Sequence, residues 1–351
     1  MAGIGRLFKL TWWLGLNQWK AAICGLFFLL ASLSFIALFA PNTSFAYDQY
    51  DLYIDREQGV EQLWLQEPET EILHNRLSFQ LASSLLDLPD SVNYGLYTLE
   101  KGWSNQQVIH HLKSQPKPAV PVVIHPYQLR KNMLRKLCQN LDVKHTAVAE
   151  LLEQPDVHQE IGFDPESIYC LFIPDTLMVY KDIRTSELVQ RLYRNHQNFW
   201  NEQRRYEADR VDLTPEEVTV LASIVYAETK NVEEMPRIAG LYLNRLDREM
   251  KLQADPTLVH AYGKPLRRVL KRHKRIRSPY NTYTNKGLPP GPVFTAPKEA
   301  LEAVLNYEEH NYLYFCASSD FSGNHDFSQT LQSHLTKARA YQKALNRKGI
   351  Y

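Results

Sequence analysis

The chain has 351 residues, enough for a substantial core plus a smaller accessory domain. Its 40 Lys and Arg nearly cancel its 39 Asp and Glu, so no global basic footprint argues for nucleic acid as a partner. Tyrosine (20) outnumbers glycine (14), which suits an ordered globular protein rather than a disordered one.

Residues 21–40 form an almost unbroken apolar run, close to the ~20 residues that span a bilayer. Arg6, Lys9 and Lys20 precede it, and no basic residue follows until Arg56. The positive-inside rule then gives a cytoplasmic tail at 1–20, a transmembrane helix at 21–40, and everything after about residue 41 outside the cytoplasm. A cleaved signal peptide is the competing reading. Both the run and the segment before it are long for a signal, which favours an uncleaved anchor. Cys24 opens the run rather than following it, so it reads as a transmembrane cysteine. Cys138, Cys170 and Cys316 are odd in number and far apart, which excludes a disulfide framework and any CxxC zinc spacing. No HExxH, P-loop, GxSxG or dinucleotide fingerprint is present, so no metal and no cofactor is expected.

Residues 42–125 read as a small α+β unit. Asn93 to Leu99 is strand-like. Ser104 and Gln107 form a capping box that opens a helix with Val108, Ile109 and Leu112 on one face. The prolines at 116, 118 and 121 break the chain before a short strand at Val122 to Ile124. Strand followed by short helix, repeated, suits a carbohydrate-binding LysM-like unit and many unrelated small domains alike. Residues 126–351 read as a larger α+β domain, mainly helical to about 210. There Pro174 ends a helix within Phe172-Ile-Pro-Asp-Thr176, and Asp175-Thr176 suits the cap of the next.

The next helix has a strong start: Thr214 as N-cap, Pro215 at the first position and Glu217 closing a capping box. Val218, Leu221, Ile224, Val225 and Val232 recur at three- and four-residue steps, and Glu228 falls on that same face. A carboxyl held against apolar neighbours has its charged form disfavoured, which makes it a general acid near neutral pH. The alternative is a structural glutamate paired with Arg237 or Arg245.

A further helix spans about 236–250. Gln253, Asp255 and Thr257 then cluster about Pro256 in a segment that reads as irregular, suited either to a binding site or to plain turn geometry. In the loop at 280–292, Tyr280, Asn281, Tyr283 and Asn285 offer amides and flat rings on a frame stiffened by three prolines. Such groups hydrogen-bond and stack on sugar rings; a rigid turn against the core would use the same Gly and Pro. Arg267, Arg268, Lys271, Arg272, Lys274, Arg275 and Arg277 form a basic run, read as a solvated face. A helix near 298–305, a strand at Tyr312 to Cys316 and a turn leading into His325-Asp-Phe327 complete the chain. His325 and His334 lack partner histidines at ligand spacing; both read as structural, with substrate contact by His325 as the second reading.

In order, Ala222-Ser-Ile-Val, Glu228-Thr229, Leu243-Asn-Arg-Leu246, Leu252-Gln-Ala-Asp-Pro-Thr257, Tyr280-Asn-Thr-Tyr-Thr284, Gly287-Leu-Pro-Pro-Gly291, Tyr312-Leu-Tyr-Phe315 and His325-Asp-Phe327 resemble the endolytic murein transglycosylases, the YceG-like family. The resemblance implies an inner-membrane protein with a LysM-like subdomain and a periplasmic catalytic domain. It implies cleavage of the β-1,4 bond between N-acetylmuramic acid and N-acetylglucosamine within peptidoglycan strands, leaving 1,6-anhydro ends, beside the synthases that elongate them. It assigns the catalytic role to Glu228 and makes Gln253, Asp255, Thr257, Tyr280, Asn281, Tyr283 and His325 candidates for substrate binding. Two departures stand out. Many family members carry an acidic residue two positions before the catalytic one, where this chain has Tyr226, and the basic run is foreign to the family pattern.

Overall fold

In this computed structural model the described residues are 4–45, 47–54, 72–88, 92–93, 95–114, 116, 119–126, 130–264, 266 and 269–349. Arg56, Lys117, Pro118, Arg267 and Arg268 lie outside them. The chain is a mixed helix and strand protein that divides into two units, 1–119 and 120–351.

The first unit begins with α1 (Ile4–Phe39), whose segment Ala22–Phe39 is long and apolar enough to cross a membrane. β1 (Gln49–Ile54) and β2 (Gly95–Glu100) pair antiparallel, with Leu52 opposite Tyr97. α2 (Arg76–Leu85) and α3 (Asn105–Leu112) cover this ribbon. Leu52, Ile54, Phe79, Leu99 and Ile109 fill the space between them. The capping box of α3 forms as the sequence dictates: Ser104 Oγ accepts from Gln107 N, and Gln107 Oε1 accepts from Ser104 N.

In the second unit β3 (Ala119–Val123) pairs with β4 (Thr176–Tyr180). Thr176 therefore opens a strand and caps no helix. Asp175 turns its carboxylate onto Lys298 Nζ (2.9 Å), and alternating Leu177 and Val179 face the core. α4 (Arg130–Leu137), α5 (His145–Leu152), α6 (Pro155–Ile161) and α7 (Thr185–Phe199) pack around this pair, and Cys138 is buried among them.

A second core gathers on α9 (Pro215–Glu228), which follows α8 (Glu202–Arg210). Thr214 caps α9 and Glu217 closes the box. α10 (Met235–Asp247) and α12 (Lys298–Leu305) pack on α9, burying Leu221, Ile224, Leu241 and Leu301 completely. α9 ends at Glu228, so Val232 lies beyond the helix and is exposed rather than part of its buried face. α11 (Asp255–Tyr262) starts at the segment read as irregular, because Pro256 in its first turn suits a helix start that has no N–H to satisfy. β5 (Tyr314–Ala317) and β6 (His325–Ser328) form a third ribbon, backed by α13 (Leu331–Arg347).

The 280–292 loop is held against α9 by one buried bond: Val293 N donates to Ser223 Oγ (3.0 Å). Gly291 lets the end of this loop pass close against Glu166, since a Cβ there would lie 2.1 Å from the Glu166 carbonyl oxygen. Gly291→Ala is therefore expected to lower unfolding stability by about 1–3 kcal/mol through a forced backbone shift. Denaturant titration of the variant checks this; unchanged stability would show the loop is not wedged there.

Candidate active site

The last residue of α9, Glu228, projects into a cavity of about 340 Å³. Its Oε1 accepts a hydrogen bond from Tyr242 Oη (3.1 Å), which comes from the fully packed face of α10. Among the described residues no arginine pairs with it. Arg237 binds Glu308 instead (Nε to Oε2, 2.9 Å). Arg245 lines the cavity but gives its N–H groups to carbonyls: Nε to Leu313 O (2.6 Å), Nη1 to Leu252 O (2.7 Å) and Lys251 O (3.3 Å). Beside it Asn244 donates to His310 O (2.7 Å) and Tyr312 O (3.1 Å). This Asn-Arg pair ties two loops to α10 and so shapes the cavity wall.

Burial pushes the Glu228 carboxyl up from 4.5 to about 7. The Tyr242 hydroxyl, which favours the charged form, pulls the other way; the Asp255 carboxylate raises the value again and Arg245 lowers it. Its position at the helix C-terminus adds to the effect, because the macrodipole disfavours an anion there and no basic residue occupies the last turn.

Three other candidates share the cavity wall: Gln253, Asp255 and Tyr283. Gln253 is held at φ 53°, a left-handed conformation costing a side-chain-bearing residue about 1–2 kcal/mol. Its backbone N–H donates to Thr282 O (3.1 Å), one of the bonds that fix this turn. Tyr283 Oη donates to Asp255 Oδ1 (2.6 Å). Burial and this carboxylate raise the phenol far above its usual range, so it stays a donor.

The remaining candidates stand behind the wall. Thr257 is fully buried and bonds Ala254 O (2.7 Å) and Thr282 Oγ1 (2.8 Å). Asn281 is fully buried too; its Nδ2 donates to Ile276 O (2.8 Å) and Lys274 O (3.2 Å), and its Oδ1 accepts from Tyr283 N (2.9 Å). Neither lines the cavity: their amide and hydroxyl groups are spent fixing the two loops that carry Asp255 and Tyr283. The Tyr280 ring lies tilted against His260, with centroids 4.4 Å apart. His325 bonds Glu234 through Nδ1 (2.7 Å) and its own N–H (2.7 Å), and its ring meets the edge of Phe315, which does line the cavity.

Sequence reasoning missed several wall residues. Lys274, from the basic run read as a solvated face, reaches the cavity with Nζ 4.3 Å from the centre of the Tyr283 ring. Tyr314 comes from β5, and Leu331 and His334 come from one face of α13. An i, i+3 pair of apolar and imidazole groups was a visible signal on that helix. Tyr226 lies off the cavity, edge-on to Phe294 (5.8 Å) and under the Lys230 amine (3.2 Å), as a two-residue step from Glu228 requires. Burial lowers the Lys230 amine to about 8. Among the described residues no group of three or more His, Cys, Asp and Glu gathers as a metal site would need.

The arrangement thus offers one carboxylic acid protonated near neutral pH, an amide, a second carboxylate, an amine and aromatic faces: a general acid beside groups suited to a hydroxyl-rich ring. Charging Glu228 costs the folded state energy. The cost is absent below pH 4.5, grows as pH rises and is complete above about 7. Glu228→Gln should therefore raise stability at pH 8 by at most about 3 kcal/mol and leave it unchanged at pH 4, as read by chemical denaturation. Equal effects at both pH values would show that the carboxyl titrates normally.

Residues 52–340 match the YceG-like family. Over 151 residues the chain is 36% identical to the endolytic murein transglycosylase of Bacillus subtilis, covering 43% of this chain and 41% of that protein. Over 111 residues it is 38% identical to the endolytic murein transglycosylase of Streptococcus pneumoniae serotype 2, covering 30% and 20%. The matched segments thus span less than half the length of these relatives. A crystal structure of a YceG-like protein from Listeria monocytogenes superposes with a TM-score of 0.51 at 21% identity, covering 83% of this chain and 99% of that one, a likeness of fold. With the match running through both units, the chain belongs to the YceG-like family.

Proposed function

We propose that this chain is a membrane-anchored endolytic murein transglycosylase that cuts the β-1,4 bond between N-acetylmuramic acid and N-acetylglucosamine inside peptidoglycan strands. The observation that carries the reading is Glu228: a half-buried residue whose carboxyl is raised to about 7, paired with a tyrosine, on the wall of a polar and aromatic cavity. Relatives named for the activity agree with it.

Glu228 gives its proton to the glycosidic oxygen as the bond from muramic acid C1 to that oxygen breaks. The resulting carboxylate takes the proton of the C6 hydroxyl as O6 closes on C1. The products are a free 4-hydroxyl and a 1,6-anhydro end, and the acid is regenerated without water entering the balance. One carboxyl serves both steps, so the cycle needs no second carboxylate. Gln253, Lys274 and Tyr283 supply the polar contacts that orient the sugar, and Tyr314 and Phe315 supply faces for its apolar side. In this reading residues 42–125 serve as a LysM-like subdomain that holds the strand, and α1 keeps the enzyme at the inner membrane with the chain after about residue 41 on the periplasmic side.

Asp255 favours one second reading, since it brings another carboxylate to the same cavity. A hydrolase would use both groups and release reducing muramic acid. Mass spectrometry of digested peptidoglycan separates the two. Anhydro ends from wild type and none from a folded Glu228→Gln variant are expected; reducing ends would establish hydrolysis, and full activity in the variant would remove Glu228 from the chemistry.

The protonated form starts the reaction, so kcat/KM should fall as pH rises through about 7. Tyr242→Phe removes a hydrogen bond that favours the charged form. Its alkaline limb should move to higher pH, and a limb that stays in place would mean that Tyr242 does not act on Glu228.

A further inference from the structure

The exit of α1 is locked to the first unit by a buried network of asparagines. Asn105 Nδ2 donates to Ala37 O (2.7 Å), in the last turn of α1, and to Ser78 Oγ (3.0 Å). Asn42 Nδ2 donates to Asn105 Oδ1 (2.7 Å) and to Asn75 O (2.9 Å), and Asn42 Oδ1 accepts from Asn75 N (2.6 Å). Asn75 is the N-cap of α2. Ala37, Asn42 and Asn105 are each almost fully buried. A satisfied polar network of this kind fixes orientation rather than tolerating a range of angles. Where α1 goes, α2 is held beside it, and the two helices are in contact.

α2 has two apolar faces. Phe79 and Ala82 enter the core, while Leu77, Leu81 and Leu85, at four-residue steps, are 77%, 44% and 49% exposed. The helix carries no Asp or Glu, and its first turn holds Arg76. The stripe has no aromatic ring for stacking on a sugar. The end of α1, which packs against α2, exposes apolar side chains as well: Phe35, Ile36 and Phe39. Three leucines in water would be costly; next to a helix end embedded in lipid they have an apolar solvent at hand.

We infer that α2 is an interfacial helix, with Leu77, Leu81 and Leu85 inserted in the outer leaflet beside the exit of α1, so that the first unit is seated on the bilayer instead of swinging on a tether. The inference rests on the membrane anchor proposed above, and the two can fail separately.

The test is photocrosslinking of the full chain in phosphatidylethanolamine and phosphatidylglycerol vesicles that contain a phosphatidylglycerol with a diazirine high on its acyl chain, with adducts mapped by mass spectrometry. The expected result is lipid adducts on both Ala22–Phe39 and α2, with those on α2 falling several-fold in Leu81→Asp, a change at an exposed position that leaves the core intact. Adducts on α1 without adducts on α2 would overturn the inference while leaving the anchor standing. An absence of adducts on both would overturn the anchor and the inference with it. Crosslinks from α2 to a second copy of the chain in place of lipid would show that protein covers the stripe.

Discussion

A carboxyl group at the wet end of a helix ordinarily ionises below pH 5, and the second unit is arranged so that this one does not. Glu228 ends α9 where backbone carbonyls already crowd negative charge, apolar residues enclose the helix behind it, and the nearest donor is the neutral hydroxyl of Tyr242. An arginine in that place would have made a structural ion pair and returned the group to its usual range. The arginine that is close, Arg245, is instead committed to the carbonyls of Leu313, Lys251 and Leu252. That commitment keeps the acid protonated and also holds the cavity open between the two loops.

The rest of the site follows from keeping these loops rigid. Buried Thr257 and Thr282 hydrogen-bond between two separate loops, and buried Asn281 folds its own loop back onto the carbonyls of Lys274 and Ile276, so that Asp255, Tyr283 and Lys274 arrive at one wall. Ser223, inside α9, fixes the end of the proline-rich loop through Val293, and Gly291 allows the close approach to Glu166. Rigid placement matters because an acid catalyst works only when its proton lies within hydrogen-bond reach of the oxygen it protonates. In the first unit a different polar network, centred on Asn42 and Asn105, performs the same service for the end of α1.

Much of this was legible in the sequence where the signal is local. Capping boxes at Thr214 and Ser104 set two helix starts, and apolar periodicity put Glu228 on the packed side of α9. The strand at β2, the helix at α12 and the strand at β5 likewise follow from residues within one element, whereas the pairing of β5 with β6 does not. What could not be read were the partners each polar group finds and where a helix stops. Thr176 suits a helix cap by type, yet β3 offers it a strand partner from some fifty residues away. Asn281 has the chemistry of a sugar ligand, but its amide is consumed by carbonyls of the basic run, and that same bond delivers Lys274 to the cavity. Val232 fitted the helical period but lies past the end of the helix, because period alone does not mark where α9 stops.

The protonation state of Glu228 can be observed without any substrate, by following its carboxyl carbon in isotope-labelled protein by NMR as pH is raised, with Glu228→Gln to identify the signal. A midpoint near 7 is the expected result. A midpoint near the ordinary 4.5 would mean that water reaches the carboxyl freely, and that this cavity does not make the general acid on which the proposed chemistry depends.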